Sequence, residues 1–545
     1  MRGITMLCIV LLATLASSAQ EHFTRADSLR GNINAPQRVW WDVIHYDLHV
    51  TVNTEDSTFS GFNTITYKVL KPDTLLQIDL QTPMVIDSVI QDKKSLPVTR
   101  DGNAWFIRLS SPQTKDKKKQ LTVFYSGKPR VAKNAPWDGG IVWAKDEKGR
   151  PWIASAVQGI GASIWWPNKD VQSDEPEAMT INVTVPNELV DVSNGRLKKT
   201  IENGDGTHTY VWQVNNPINN YDVAVNIGNY IEMKDSYSGE GGKLELGYWV
   251  LDYNEEKAKE HFQVVKPMLK CFEYWFGKYP FYQDSYKLVE TPFLGMEHQS
   301  AVAYGNKFKM GYKGTDLSGT GWGLKWDFLI IHESGHEWFG NSITSKDLAD
   351  MWIHESFTNY SETLFTECQY GLKAANEYLQ GIRKNIKNDV PIIAPYGVNA
   401  EGSGDMYYKG ANMIHNIRQI MENDEAFRQM LRGLNKTFYH QTVTTKEIEQ
   451  FMSNAVGMDL SKVFDQYLRH TTVPTLEYRF KGQQVQYRWV TDVKDFNMPV
   501  KVKLSDNGYK LIYPGTLWRS SSVTLTNMKD FEVDKNFYIH TKQVQ

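Results

Sequence analysis

The sequence predicts a multidomain α+β chain, because the spacing of its apolar residues changes twice along its length. From about residue 36 to 233 they alternate, as in Ile44, Tyr46, Leu48, Val50 and Val52, then Ile65, Tyr67 and Val69, and later Ile181, Val183 and Val185. That two-residue period belongs to strands with one buried face. Between about 234 and 475 the period lengthens to that of helices, and after Pro474 alternation returns. The expected units are an N-terminal β-domain (36–233), a mainly helical domain (234–475) and a small C-terminal β-sandwich (476–545).

Taken in order, residues 1–19 have the layout of a secretory signal peptide: Arg2, an apolar run from Met6 to Ala16, then small residues up to Ala19 before Gln20. That run is about half the ~20 residues a membrane-spanning helix needs, and no longer one follows. An exported, periplasmic or extracellular protein without a transmembrane segment is expected. Helices are expected at Glu255–Phe276, Trp326–Phe339, Trp352–Cys368, Ala411–Met421 and from Ile448 onward. Thr444 and Glu447 form a capping-box pattern ahead of the last of these. In the final unit Val485, Tyr487 and Trp489, then Val500, Val502 and Leu504, alternate on either side of an Asp506-Asn507-Gly508 turn.

With 545 residues, 41% of them hydrophobic and 23% charged, the chain can build several packed cores. Its net charge of -3 supplies no attraction for nucleic acid or an anionic membrane. Cys8 falls in the leader, which leaves Cys271 and Cys368. Two cysteines make no disulfide framework, and two buried free thiols are expected.

The chemistry is carried by His332-Glu333-Ser334-Gly335-His336, an H-E-x-x-H pattern. Residues four apart share a helix face, so both imidazoles can point at one tetrahedral zinc ion. Glu333 stands about 100° round the helix and can reach a metal-bound water. An open site needs a third protein ligand, and Glu355 follows on the next predicted helix. His354 is its rival, since adjacent helical side chains point about 100° apart and imidazole is as competent a ligand as carboxylate. Spacing leaves that choice open.

His332-Glu333-x-x-His336 followed by Glu355 resembles the gluzincin arrangement of the M1 aminopeptidase family. The likeness extends through His336-Glu337-Trp338-Phe339-Gly340-Asn341 and Asp350-x-Trp352-x-x-Glu355-x-Phe357-x-x-Tyr360. It implies that the third ligand is Glu355 and that one Zn2+ binds per chain. It also implies a β-saddle N-terminal domain, a thermolysin-like catalytic domain and a β-sandwich, without the long C-terminal helical domain of many members, and hence a more open cleft.

Leu294-Gly295-Met296-Glu297-His298 is similar to the family's G-x-M-E-N strand, whose Glu holds the substrate's α-amine, although Leu294 and His298 depart from the pattern. Tyr407-Tyr408-Lys409-Gly410 resembles the Y-x-K-G segment, whose first Tyr donates to the oxyanion; that register selects Tyr407 over Tyr408. Gln158, before Trp165-Trp166-Pro167, looks like the family's substrate-binding Gln. The resemblance thus implies an aminopeptidase acting on peptides with a free amino terminus. Glu333 and Tyr407 are its catalytic residues, and Glu297, Gln158, Gly295 and Met296 form the substrate side. A zinc endopeptidase and a non-enzymatic peptide-binding protein are the alternatives, and epoxide hydrolysis occurs in one branch of the family.

Overall fold

The computed structural model describes residues 23–545, so the leader expected at 1–19 lies outside the described residues. The N-terminal unit is built on an eight-stranded sheet. At its centre β1 (Trp41–Asn53) pairs antiparallel with β2 (Thr58–Val69) and parallel with β3 (Ala178–Pro186). Burial follows the predicted alternation: Tyr46, Leu48, Val50 and Val52 of β1 point into one core with Ile65, Tyr67 and Val69 of β2. Trp165 and Trp166 fill the same core, each fully buried, and each contributes the large apolar area typical of an aromatic side chain.

The sheet of the second unit begins in what the sequence assigns to the first. Strand β4 (Tyr230–Gly239) runs across residue 233, forms a hairpin with β5 (Gly242–Leu251), and through it joins β6 (Tyr286–Glu290). Strands β7 (Gly295–Met296) and β8 (Val302–Tyr304) complete this five-stranded sheet. The two cores meet along it, for Trp249 and Leu251 of β5 pack into the first core and Leu244, Leu246 and Val250 into the second.

Four helices frame the site. These are α1 (Val265–Phe276), α2 (Phe328–Gly335), α3 (Trp352–Tyr370) and α4 (Asp405–Met421). The turns before α1 are helical from Glu255 onward, as expected, with a short tighter turn at Phe262–Val264. The capping box at Thr444 and Glu447 is formed in both directions. Helix α2 ends four residues sooner than the apolar pattern suggests. The carbonyl of His336 accepts from Asn341 N (3.0 Å) and the chain folds back to seat Trp338 and Phe339 against Phe276.

The C-terminal strands form a four-stranded sheet and a hairpin, Val500–Ser505 with Gly508–Ile512. Their inner faces, including Val485, Trp489 and Val500, are continuous with the core of the helical unit. No helix among the described residues is long and apolar enough to cross a membrane. One expectation is corrected: Cys271 and Cys368 are not free thiols but a disulfide, with Cα atoms 6.1 Å apart across the α1–α3 packing. Ninety-seven residues separate them, and only the docking of two helices makes them neighbours.

Candidate active site

The site is assembled on α2, α3, α4 and strand β7. Asp327 starts α2: its carboxylate accepts from Leu329 N (2.9 Å) and Ile330 N (3.4 Å), satisfying two of the donors every helix start leaves open. The same carboxylate accepts from Tyr304 OH (2.8 Å) and meets His261 Nε2 (2.7 Å), which ties the helix to β8 and to the turns before α1. Gly335 lets α2 approach α3, because a Cβ there would stand 2.6 Å from Ser361 Oγ. Gly410 does the same for α4, where a Cβ would overlap Ser356 Oγ.

This packing brings His332, His336 and Glu355 together, all buried, with one donor atom from each within 4.8 Å of the others. Glu355 Oε2 lies 3.5 Å from His332 Nε2 and 3.4 Å from His336 Nε2. It is buried without a hydrogen-bond partner. The two Nδ1 atoms are already engaged, His332 with Glu362 Oε1 (2.7 Å) and His336 with the Phe339 carbonyl (3.0 Å). Neither acceptor can donate, so each Nδ1 carries a proton and each Nε2 is the ring atom turned to the Glu355 oxygen, where a metal would replace any proton it holds. Two imidazole nitrogens and one orphaned carboxylate oxygen are the donor set of an open zinc site, with an outer carboxylate orienting the first histidine. Burial would raise the Glu355 carboxyl, but His336 and His332 outweigh it and hold the group well below the usual range.

His354 takes no part. Its Nε2 accepts from Ser345 N at 2.8 Å, and burial together with His336 pushes it down to about 3. Glu362, which spacing did not single out, lies seven residues after Glu355 and therefore on the same face of α3. It also accepts from Asn359 Nδ2 (2.8 Å) and Tyr378 OH (2.5 Å).

The three donors open into a cavity of about 520 Å³ that is also lined by Gln158, Gly295, Met296, Glu297, Glu333, Tyr407 and Tyr408. Burial pushes the Glu333 carboxyl up to about 7, with Glu297 adding to the rise and the imidazoles of His332 and His336 opposing it. The Tyr407 ring stacks on His332 with centroids 5.9 Å apart, and the Tyr408 ring is tilted to it at 6.3 Å.

Glu297 sits beyond the metal donors. Its carboxylate receives Gln158 Nε2 in a short hydrogen bond and Tyr221 OH at 3.3 Å, and its backbone carbonyl accepts from Asn341 Nδ2 at 2.7 Å. Gln158 and Tyr221 come from the β-domain, so the Glu297 end of the cavity is a joint product of both units. Tyr221 carries no sequence signal that could have marked it. Gly295 and Met296 pair with Tyr304 and Ala303 to form the short strand that carries Glu297. Where the family pattern has Asn, His298 is fully buried, with neither ring nitrogen hydrogen-bonded, and burial pushes it down to about 3. It therefore fills space as a neutral ring behind the strand.

Fold and donor set together define a single-metal hydrolase-type site closed at one end by a carboxylate. The sequence profile of the peptidase family M1 domain matches residues 260–467, and that of the peptidase M1 N-terminal domain matches residues 43–221. The chain belongs to peptidase family M1. Aminopeptidase N of Lactobacillus helveticus is 24% identical over 470 residues, 79% of this chain and 51% of that protein. Leucine aminopeptidase 2 of Vanderwaltozyma polyspora is 24% identical over 499 residues, 86% of this chain and 68% of that protein. The chain thus spans about half to two thirds of the length of these relatives. Among solved structures, an M1 zinc metallopeptidase mutant from Deinococcus radiodurans bound to a Tyr-Ser-Ala substrate matches with a TM-score of 0.66 at 20% identity. The match covers 80% of this chain and 96% of that one.

Proposed function

We propose that the protein is an exported zinc aminopeptidase that removes single residues from the free amino termini of peptides. The observation that carries this reading is the nearness of Glu297 to the hydrolytic groups: its carboxylate, that of Glu333 and a nitrogen of His336 all lie within 4.8 Å of one another. In a peptide the α-nitrogen is ~2.5 Å from the carbonyl carbon of the same residue. An ammonium paired with Glu297 therefore presents the first peptide bond, and no later one, to Glu333.

His332, His336 and Glu355 would hold the zinc ion, which supplies Lewis acidity and a water of lowered pKa. Glu333, raised toward neutrality, takes the proton of the attacking water and returns it to the leaving nitrogen. Tyr407 donates its hydroxyl to the carbonyl oxygen as negative charge grows there, an interaction worth a few kcal/mol (~3) in such sites. Gln158 and Tyr221 orient the Glu297 carboxylate so that it meets the ammonium in a charge-assisted pair. Export is supported by the leader pattern and by the disulfide, which persists in oxidising compartments.

Acetylating the substrate's amino terminus removes the charge that Glu297 receives. kcat/KM should then fall by about a hundredfold or more, and Glu297→Ala should raise KM for free-amine peptides while shrinking the acetylation penalty. Efficient cleavage of acetylated peptides at internal bonds would make the protein an endopeptidase instead.

A further inference from the structure

The mechanism above leaves one carboxylate of the cavity without a task. Glu401 lines it together with Glu297, Glu333 and Glu355, and no Lys or Arg is among the lining residues. Glu401 comes from the segment that leads into α4, and its Oε1 would stand 2.7 Å from a Cβ at Gly159, the residue after Gln158. It therefore reaches across the junction of the two units to the amine end of the cavity. Among the described residues it has neither an ion-pair partner nor a side-chain hydrogen bond.

The segment that carries it is held at both ends. Gly397 N donates to Asp347 Oδ2 (2.9 Å), Asn399 Nδ2 to the Gly159 carbonyl (3.1 Å), and Ser403 N to the Pro391 carbonyl (3.0 Å). Two cations stand near this wall without pairing with Glu401: Arg30 pairs with Asp170 at 3.2 Å and donates to the Gly159 carbonyl at 2.9 Å, and Lys313 lies over the rings of Trp137 and Tyr312 at 4.7 and 5.3 Å. A divalent ion would be held by Glu355 with the two histidines and the substrate's α-ammonium by Glu297, and neither claims Glu401, which lines the same cavity. Leu294, Met296 and Tyr408 line the same cavity and offer apolar surface to a methylene chain.

We propose that Glu401 is a specificity-determining residue that selects peptides whose first residue is basic, with arginine or lysine laying its methylenes on the apolar wall and its charge against this carboxylate. The inference rests on the aminopeptidase reading and narrows it to a substrate class. The guanidinium forms two parallel hydrogen bonds to a carboxylate, which favours arginine over lysine.

The test compares arginine with citrulline, which has nearly the same shape and no charge. For the zinc-loaded enzyme, kcat/KM for an arginyl-fluorophore should exceed that for the citrullyl one by about tenfold or more, and the ratio should shrink as salt is raised. In Glu401→Gln the ratio should collapse toward one. Calorimetric binding of free arginine and free citrulline to the wild type and to Glu401→Gln provides a readout independent of turnover, and the arginine preference should likewise disappear in the variant. A wild-type ratio of one or below, or an unchanged ratio in Glu401→Gln, overturns the proposal while leaving the aminopeptidase standing. If Glu401 were a second anchor for the α-amine, both substrates would suffer equally and the ratio would not move. Failure to cleave any free-amine substrate would overturn the aminopeptidase reading and this proposal with it.

Discussion

Replacing Glu362 by Gln tests whether the metal donors are held from behind. Glu362 is fully buried and touches no substrate, but it accepts from His332 Nδ1 (2.7 Å), Asn359 Nδ2 (2.8 Å) and Tyr378 OH (2.5 Å). Glutamine keeps the size and removes the charge. If its oxygen faces His332 the ring loses a charged acceptor and becomes a weaker base. If its NH2 faces His332, donor meets donor, and relief requires moving the ring proton to Nε2, the atom that must bind the metal. Outer partners of this kind contribute about 10- to 100-fold in metal affinity, or ~1.4–2.7 kcal/mol. Alanine would be a poorer probe, since it leaves three interior donors unpaired at about 1–3 kcal/mol each and destabilises the fold as well. Zinc affinity should be measured by competition with a chelator at fixed pH and salt, with thermal unfolding of the metal-free protein as the control on folding. A dissociation constant within about threefold of wild type, in a variant that folds normally, would refute the argument.

Three further outcomes are expected. Glu355→Ala should lose most of its zinc and His354→Ala should keep one ion per chain, because His354 spends its lone pair on Ser345 N; metal analysis after gel filtration decides between them. Reducing the Cys271–Cys368 disulfide should lower stability by up to about 4.7 kcal/mol, the order expected for closing a loop of that length; equal urea midpoints with and without reductant would contradict this. Burial pushes Glu175 up to about 7, so between its ordinary range and that value the native state keeps a proton that the unfolded chain releases, and stability falls as pH rises. Glu175→Gln should flatten that decline by about 2 kcal/mol over the window, with part of the side chain still reached by water; an unchanged pH profile of unfolding would show that the carboxyl titrates normally.

Much of this molecule was legible in one dimension because the signals are local. The alternation of Tyr46, Leu48 and Val50, the four-residue step from His332 to His336, and the Thr444–Glu447 cap each depend on a single strand, helix or turn. Such periods follow from backbone geometry alone. The donor set could be narrowed to two candidates for the same reason, since one turn of α3 offers either His354 or Glu355 to the metal.

What the sequence could not determine is everything that depends on how elements dock. Choosing between His354 and Glu355 from the residues alone requires the rotation of α3 about its axis, which the contacts of Gly335 and Gly410 with Ser361 and Ser356 set. The disulfide requires α1 to lie against α3. Gln158 and Tyr221 reach Glu297, and Glu401 reaches Gly159, only because the two units dock, from positions up to 242 residues apart in the chain. Periodicity tells which face of an element is buried, but it does not tell which other element covers that face. The chemistry at the seam between the two units is therefore a property of the tertiary structure.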